Sequence, residues 1–356
     1  MTSISFLGSP TFTLNNEGIK DLNKVLFDAI FKYGKLFNTC SPLTGVTNGE
    51  KIGYVDKMND VGWTPSSDTC SVTYKDPTIT GREDAWTLGE YEVPLKLCFR
   101  KLQSTIAKYC LKTGTDIANL EGTEFWDKIF MPLLSDAVDR MYWRIAWFGD
   151  TAATSVAAQT DPGIITDGVD VKLFKIADGF WKRIFTQVAT AGGAGQRTSM
   201  ANLNFATAGV ATDYIDQLLQ DSNTLIKDGK LYMTHSFLVA LRRDYRKTYK
   251  ATIPFMQVAE GVQLPSYDGV PIIEVPEWDS DIHAYHKSES NNTVTYEKPD
   301  RVLFMNPENF LVGTSDKSVF GYFDTWFSKD DQDNKTLMRS DIGTLIADPR
   351  LFQAGY

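Results

Sequence analysis

The sequence has few of the residues and segments on which metal enzymes, secreted proteins and membrane proteins depend. It has three histidines and four cysteines in 356 residues, and the cysteines show neither the close pairing of a zinc site nor the density of a disulfide scaffold. No apolar run approaches the roughly 18 residues of a spanning helix, and the N-terminus has no basic flank and no long apolar region. These absences predict a protein made and folded in a cytosol, with reduced and mostly structural thiols at Cys40, Cys70, Cys98 and Cys110.

Charge and loop motifs also argue against nucleotide and nucleic-acid chemistry. The 36 Lys and Arg against 45 Asp and Glu give a net charge of −9, so the protein as a whole repels a polyphosphate. The Gly-rich loop at 192–197 lacks the Lys-Ser/Thr pair of a phosphate-binding loop and follows no convincing strand. A flexible loop is the better interpretation, and a general nucleic-acid-binding protein is not expected.

No catalytic constellation appears. His283 and His286 are three residues apart in a polar segment, which predicts a solvated loop rather than a metal site. His235 follows a predicted strand, where a hydrogen-bonded histidine is commoner than a catalytic base. The basic cluster 242–250 lies in the C-terminal half of a predicted helix, where cations interact well with the helix dipole. The sequence therefore predicts no enzyme, no catalytic residue, no cofactor and no metal.

The N-terminal quarter of the chain predicts segments that cannot form a core alone. Apolar residues alternate with small polar ones at the very start, and an amphipathic helix is predicted from Ile19 to Phe37. From Leu43 to Glu90 turn-forming residues are frequent, and the alternation at 51–55 and 70–75 predicts the strands of a long hairpin. Because two strands without a third layer are marginal in water, this hairpin is expected to lie on another surface.

The remaining chain predicts a compact body of mixed helices and strands. An edge strand is predicted at 91–99, with Pro94 in it, and an aromatic-rich helix from Thr123 to Phe148, kinked or divided by Pro132 and stopped by Gly149. Further helices are predicted at 173–188 and 214–226, the latter closed by a glycine, and a third is predicted to be capped by Ser236. Strands are expected at 231–234, 270–275 and 302–305, with an exposed insertion at 277–299 and alternating strands and turns at 310–346. No regular βαβ repeat is present, so a doubly wound or barrel fold is disfavoured.

Four segments, in this order, resemble the major capsid protein of tailed bacteriophages, which has the Hong Kong 97-like fold. The first, Leu231 to Leu241, is similar to the strand and capped helix of that family's axial domain, and the second, Tyr267 to Pro276, to its Gly-x-Pro-hydrophobic strand. The third, Arg301 to Gly313, resembles the strand leading to an Asn-hydrophobic-x-x-Gly turn, and the fourth, Ser340 to Pro349, the final strand of the peripheral domain. The resemblance spans almost the entire chain, although each motif alone is unspecific.

The resemblance implies an α+β fold with an N-terminal arm, an extended β-hairpin loop, a peripheral domain with a long spine helix, and an axial domain. The implied divisions are 1–42 for the arm, 43–90 for the extended loop, 91–148 for the first part of the peripheral domain with the spine helix, 149–315 for the axial domain and 316–356 for the second part of the peripheral domain. The sequence departs from the family at Pro132 and in the long insertion at 277–299. It identifies no Lys–Asn pair for a covalent cross-link.

The function implied by the resemblance is self-assembly, through pentamers and hexamers, into the icosahedral head shell that encloses double-stranded DNA. The implied partners are other copies of the chain, a portal protein, possible decoration or head-fibre proteins, and packaged DNA by non-specific contact only, with no membrane. Because the arm begins close to Met1, we expect a separate scaffolding protein. The implied location is the virion capsid, assembled in the bacterial host cytoplasm.

Projecting segments of a shell subunit are expected to be buried by neighbouring subunits, and aromatic residues dominate the energetics of such interfaces. The predicted inter-subunit contacts are the aromatic residues of the arm and hairpin: Phe6, Phe12, Trp63, Tyr74 and Trp86.

Two other interpretations remain open. An encapsulin-like cellular compartment uses the same fold to enclose a cargo enzyme, and neighbouring genes would distinguish it from a phage shell. A soluble α/β enzyme using His235 or a cysteine predicts a monomer or small oligomer with a cleft, whereas a shell protein predicts particles.

Overall fold

A computed structural model describes most of the chain from residue 35 onward. It covers residues 3–4, 12–13, 35–58, 61, 76, 79–98, 130–153, 165–166, 169–190, 192–259, 262–290, 293–315, 322–331 and 333–356. The helices in these ranges are α1 (Met131–Phe148), α2 (Phe180–Ala189), α3 (Val210–Asp221), α4 (His235–Tyr249) and α5 (Pro276–Tyr285). The strands are β1 (Ser3–Ile4), β2 (Phe12–Thr13), β3 (Ser41–Thr44), β4 (Lys51–Met58), β5 (Ile79–Ala85), β6 (Gly89–Cys98), β7 (Arg197–Thr198), β8 (Lys230–Met233), β9 (Phe255–Ala259), β10 (Val262–Tyr267), β11 (Val270–Glu274), β12 (Lys287–Ser290), β13 (Thr293–Tyr296), β14 (Val302–Met305), β15 (Phe310–Thr314), β16 (Tyr322–Ser328), β17 (Asp333–Ile346) and β18 (Phe352–Gly355).

Two sheets form the framework. The larger has seven strands in the order β7-β18-β14-β8-β11-β10-β9, and the smaller joins β16, β17, β15 and β3, with β6 paired to the long strand β17. Strand β6 pairs with β17 alone among the described strands, so Pro94 lies in an edge strand, as its missing N–H predicted. Two-stranded pairs are formed by β1 with β2, β4 with β5, and β12 with β13.

An aromatic core surrounds the C-terminal half of α1. The Trp147 ring lies 4.7 Å from the Trp278 ring of α5 and 5.0 Å from the Phe180 ring of α2, measured between centroids. Trp181 of α2 lies 5.0 Å from Trp278 and completes the group, and all four side chains are fully buried. Edge-to-face contacts of this kind add to the free energy gained by burying the rings, so this cluster joins three helices that are far apart in sequence.

A second core lies between the seven-stranded sheet and helices α3 and α4. Apolar residues at three- and four-residue steps of each helix face the sheet. They are Tyr214, Ile215 and Leu218 of α3 and Phe237, Leu238 and Leu241 of α4, packed with Leu231, Met233 and Ile272 of the strands.

The starts and ends of three helices can be compared with the sequence predictions. Pro132 is the second residue of α1, and the residue before the helix, Phe130, also has a helical backbone. The predicted start of this helix, Thr123, lies outside the described residues. Gly149 ends α1 as predicted. Helix α2 begins at Phe180 rather than 173, because Gly179 has an extended backbone and donates to the Gly149 carbonyl at 2.8 Å. Helix α3 ends at Asp221, with Ser222 as its C-cap, before the predicted stop.

The prediction that 277–299 is an exposed insertion is wrong for its first half. This segment forms most of α5, whose Trp278 and Ile282 are fully buried in the aromatic core. The helix begins with Pro276 and places acidic residues in its first turn, which is a favourable N-terminal pattern. The many polar residues of the segment belong to the outer side of the helix and to the hairpin β12–β13.

The two sheets take strands from both sides of the division predicted at residue 315. Strand β15, before it, pairs with β17 and β3 in the smaller sheet, whereas β18, after it, pairs with β14 and β7 in the larger one. The C-terminal strand therefore hydrogen-bonds with the segment predicted as the axial domain.

Candidate functional site

The most exposed regular structure is the pair β4–β5, called the ribbon here. Its strands pair antiparallel from Lys51 opposite Ala85 to Met58 opposite Ile79, with a register shift between Val55 and Met58. Apart from Ile52 and Asp84, which are half-buried, every ribbon side chain whose burial is described is exposed. No third strand of the described chain pairs with the ribbon.

The outer end of the ribbon carries apolar side chains in water. Val55, Ile79 and Met58 are 77%, 61% and 49% exposed, and Met58 and Ile79 lie directly opposite each other across the strands. Fully burying such a side chain stabilises a protein by about 1.5–3 kcal/mol. Three in one small element therefore form a surface that gains free energy when another surface covers it.

The inner end of the ribbon is fixed to the body by Trp86. This side chain is 2% exposed and packs with Val46, Leu311 and Leu345. A Cβ atom at Gly313 would lie 2.7 Å from the Trp86 ring, so only glycine allows the ring to lie on this part of β15. The backbone N–H of Trp86 donates to the backbone carbonyl of Glu50 at 2.9 Å, which closes the ribbon at its base.

A second attachment joins the ribbon to α2. Arg82 Nη1 donates to Gln187 Oε1 at 2.6 Å. The same region contains Lys182 Nζ, 2.5 Å from the Asp150 carboxylate and 2.8 Å from that of Asp178. Burial opposes ionisation of Asp178, but hydrogen bonds from Lys182 and Thr151 outweigh it and lower the pKa of Asp178. The ribbon is thus anchored at its base by packing and by a polar contact, whereas its outer end is exposed and pairs with no further strand among the described residues.

The five predicted inter-subunit residues are placed as follows. Phe6, Trp63 and Tyr74 lie outside the described residues, and Phe12 is described only as part of the backbone of β2. Trp86 is already buried within its own chain, so its burial needs no neighbouring subunit. The apolar tip of the ribbon was missed, although Val55, Met58 and Ile79 stand out as apolar positions within a polar stretch.

The structure separates the residues that could have carried catalysis. His235 Nδ1 lies 2.5 Å from Glu274 Oε1, while His283 packs on Tyr296 and His286 on Phe148, with ring centroids 4.2 and 5.1 Å apart. Within the described ranges no group of three or more His, Cys, Asp or Glu side chains is placed to hold a metal.

The described cysteines, Cys40 and Cys98, are free thiols, and burial raises the pKa of Cys40 well above its usual range. Cys70 and Cys110 lie outside the described residues. A thiol that stays protonated is a poor nucleophile, which agrees with the structural role predicted for Cys40. None of the helices described here is both long and apolar enough to cross a bilayer.

Two carboxylates have roles that the sequence did not indicate. Asp279 of α5 accepts hydrogen bonds from the backbone N–H groups of His235 and Ser236, at 2.5 and 3.2 Å, so it caps α4 in place of the predicted Ser236. Asp281 lines a cleft of about 310 Å³ between α1 and α5. Burial raises the pKa of Asp281 to about 7, although Arg144 acts in the opposite direction. The cap and the cleft each bring together segments that are distant in sequence, so no local motif predicts them.

Comparison with known proteins gives structural relatives only. No family model and no curated protein matches the sequence. A solved structure from Microbacterium phage Oxtober96 is similar over 90% of both chains, with 12% identity and a TM-score of 0.51. A native GTA particle capsid covers 100% of this chain and 95% of its own, with 11% identity and a TM-score of 0.48. The holo-SrpI encapsulin complex from Synechococcus elongatus covers 90% and 85%, with 9% identity and a TM-score of 0.47.

The Microbacterium phage structure is similar over nearly the whole of both chains, so it bears on the architecture as a whole rather than on one motif. At 12% identity, this similarity is one of fold. The fold has the mixed helices and sheets and the projecting two-stranded ribbon described above. The chain thus has the α+β, Hong Kong 97-like capsid fold that the resemblance of its four sequence segments predicted.

Proposed function

We propose that the protein is a major capsid protein that self-assembles, through pentamers and hexamers, into the icosahedral head shell enclosing the double-stranded DNA of a tailed bacteriophage. The observation that carries the proposal is the ribbon. It is anchored at Trp86, its two outer edges pair with no other strand of the described chain, and its tip is apolar. The fold gives the proposal its context, since it is shared with a solved phage structure.

The ribbon supports assembly through a simple asymmetry. Its tip carries exposed apolar side chains, while its base is bound to its own body, and in the proposed shell the complementary surface belongs to another copy. A contact between two different surfaces of identical chains is heterologous, and such contacts form closed rings when the rotation between copies closes. In the proposed shell each ribbon lies on the next subunit, and the divisions at 1–42, 43–90, 91–148, 149–315 and 316–356 are the arm, extended loop, peripheral and axial parts.

Electron microscopy and sedimentation velocity of the purified full-length chain test the proposal. We expect closed particles, or pentamers and hexamers that close when a scaffolding protein is added. A protein that stays monomeric at high concentration under both conditions contradicts the proposal.

The contents of particles purified from the producing host decide between a phage head and a cellular compartment. A phage head contains double-stranded DNA and has a portal protein at one vertex, whereas an encapsulin-like shell contains a cargo enzyme. The genes beside the coding sequence give an independent answer, because terminase and portal genes accompany a phage shell.

The proposal includes a separate scaffolding protein, possible decoration or head-fibre proteins, and location in the virion after assembly in the host cytoplasm. It does not include proteolytic removal of the N-terminal arm. Mass spectrometry of mature particles tests this part, and a shortened N-terminus would refute it without affecting the shell itself.

A further inference from the structure

The outward face of α4 carries charge of one sign. Five cations lie on the C-terminal half of the helix and at its cap, and all are exposed: Arg242, Arg243, Arg246, Lys247 and Lys250. The one acidic residue of α4, Asp244, points the other way. It is buried and accepts hydrogen bonds from the backbone N–H groups of Gly209, Ala211 and Thr212 at 2.5, 2.9 and 3.0 Å. This face is strongly basic in a protein whose net charge is −9.

The helix dipole explains only part of this set: Arg246 and Lys247 lie in the last turn, where positive charge is favourable. The helix dipole favours positive charge only in the last turn, whereas Arg242 and Arg243 lie about two turns before the helix ends at Tyr249. The pairs Arg242–Arg246, Arg243–Lys247 and Arg246–Lys250 are four residues apart, where like charges destabilise a helix. The like-charge pairs therefore act against the gain from the dipole.

Three of the five cations donate hydrogen bonds to carbonyl groups of the same chain. Arg243 Nη2 donates to the Phe205 carbonyl at 3.1 Å, and Lys247 Nζ to the Ala206 carbonyl at 3.5 Å, so these two hold the loop before α3. Arg246 Nε donates to the Arg242 carbonyl in the same helix at 3.3 Å. Among the residues that the structure describes, no carboxylate is within ion-pair distance of any of the five. The charges of Arg242, Arg246 and Lys250 thus remain directed to solvent.

The chemistry of this face fits a polyphosphate better than a protein. Protein interfaces need a desolvated apolar centre, but α4 has only two exposed large apolar side chains, Val239 and Tyr249, which are ten residues apart. Interfaces with DNA are polar and strongly positive, and Arg binds phosphate through two parallel hydrogen bonds. Residues four apart on a helix are separated by about 6 Å along its axis, so successive cations can follow a row of phosphates. Helix α4 contains no Asn or Gln, the side chains that pair with adenine edges.

We propose that the basic face of α4, formed by Arg242, Arg246 and Lys250, binds the phosphate backbone of duplex DNA without reading its sequence. This inference rests on the proposed function, in which the enclosed genome supplies the polyphosphate. It assigns the non-specific DNA contact of the shell to one helix.

Equilibrium binding of a short mixed-sequence DNA duplex to the full-length protein, measured as a function of salt concentration, tests the assignment. The test variant is R242Q/R246Q/K250Q, which leaves Arg243 and Lys247 on their carbonyls. The matched control is K172Q/K175Q/K227Q, which removes the same charge from three exposed lysines elsewhere. A second variant, R242K/R246K, keeps the charge while removing the guanidinium groups.

We expect the test variant to bind duplex DNA at least about tenfold more weakly at low salt. The slope of log K against log salt should also fall in magnitude by about 3, since each phosphate contact contributes about 0.9. The control should change neither quantity appreciably, and the lysine variant should retain most of the binding. Thermal unfolding should confirm that all variants fold, because removing like-charge pairs does not weaken the helix.

Three results would overturn the assignment: equal losses in the test and control variants, an unchanged salt slope in the test variant, or a loss of polyglutamate binding with DNA binding retained. The last result would identify an acidic protein segment as the partner instead. Particle formation by the same preparations is scored separately by electron microscopy. If the wild-type protein binds DNA through this face but forms no particles, the proposed function fails and the DNA contact stands. If it forms particles but the test variant binds DNA as the wild type does, the DNA contact fails and the proposed function stands.

Discussion

The ribbon and the rest of the described chain, called the body here, differ in whether their apolar side chains are buried. In the body, Trp147, Trp181 and Trp278 come from three helices and bury each other completely. In the ribbon, Val55 and Ile79 remain 77% and 61% exposed, although each could stabilise a core as well as the residues that form one. The difference lies in topology: the body has several layers, whereas the ribbon has two strands and nothing of the described chain packed across its outer half.

This contrast indicates where the free energies of folding and of assembly are located. A buried side chain has already contributed to the stability of the subunit, so it has little to gain from a neighbour. An exposed apolar side chain has contributed nothing, so covering it favours association. The body should therefore determine whether the chain folds, and the ribbon whether it assembles.

The largest effect is expected in the body. Trp147→Ala removes the ring that contacts both Trp278 and Phe180 and leaves a cavity that fixed helices cannot fill. We expect the free energy of unfolding to fall by about 3–5 kcal/mol, which is a large part of the stability of an ordinary domain. Urea denaturation monitored by circular dichroism measures it, and a loss below about 1 kcal/mol would contradict the description of this cluster as the core that joins the helices.

The next largest effect is a pH dependence of the free energy of unfolding, which arises from one carboxyl group of the body. Burial raises the pKa of Asp281 to about 7 from its ordinary 3.8, so between these values the folded protein holds a proton that the unfolded chain releases. The free energy of unfolding should therefore decrease as pH rises through this interval, by on the order of 4 kcal/mol for the whole shift. The group is affected by Arg144 and Glu277, which act in opposite directions.

Asp281→Asn removes this titration while keeping the shape of the protonated side chain. The variant should be more stable than the wild type at pH 8, and the difference should vanish near pH 4. Chemical denaturation at several pH values measures both curves. A wild-type curve that rises between pH 5 and 7, or a variant with the same slope as the wild type, would show that the cleft carboxyl titrates normally.

A smaller effect is expected at the contact between α4 and α5. Asp279→Ala removes the carboxylate that accepts from the His235 and Ser236 backbone N–H groups, and we expect a loss of about 1 kcal/mol. Asp279→Asn keeps an acceptor and should cost less than half as much. If both variants lose the same free energy, the charge of Asp279 rather than its hydrogen bonds stabilises the helix.

The sequence predicted those parts of the fold that depend on local pattern. Strands at 230–233, 270–274 and 302–305 were recognisable from short apolar runs, and the ribbon strand β4 from alternation. Gly149 was correctly predicted as the end of α1, since glycine rarely continues a helix. The four segments that resemble phage capsid proteins gave the overall architecture, which the structural comparison confirms.

Features that depend on contacts between distant segments were not predictable in this way. Helix α5 was interpreted as an exposed loop because six of its ten residues are charged, polar or proline, and nothing local indicates that Trp278 and Ile282 meet the core. The cap from Asp279 crosses more than forty residues. Trp86 was predicted to contact a neighbouring subunit because it is an aromatic residue of the hairpin. Its packing on Leu311 and Leu345 of its own chain was not predicted, since both are more than two hundred residues away.

The central claim, that the apolar outer end of the ribbon is covered by neighbouring copies rather than by its own chain, is tested most directly by V55S/M58S/I79S. We expect the free subunit to unfold within about 0.5 kcal/mol of the wild type, as for ordinary surface substitutions, while particles detected by sedimentation velocity become at least about tenfold rarer because the covered apolar surface is lost. The matched control, L203S/L225S/V294S, removes three exposed apolar side chains from the body and should assemble normally. Normal assembly by the ribbon variant, or an equal loss in the control, would contradict the claim.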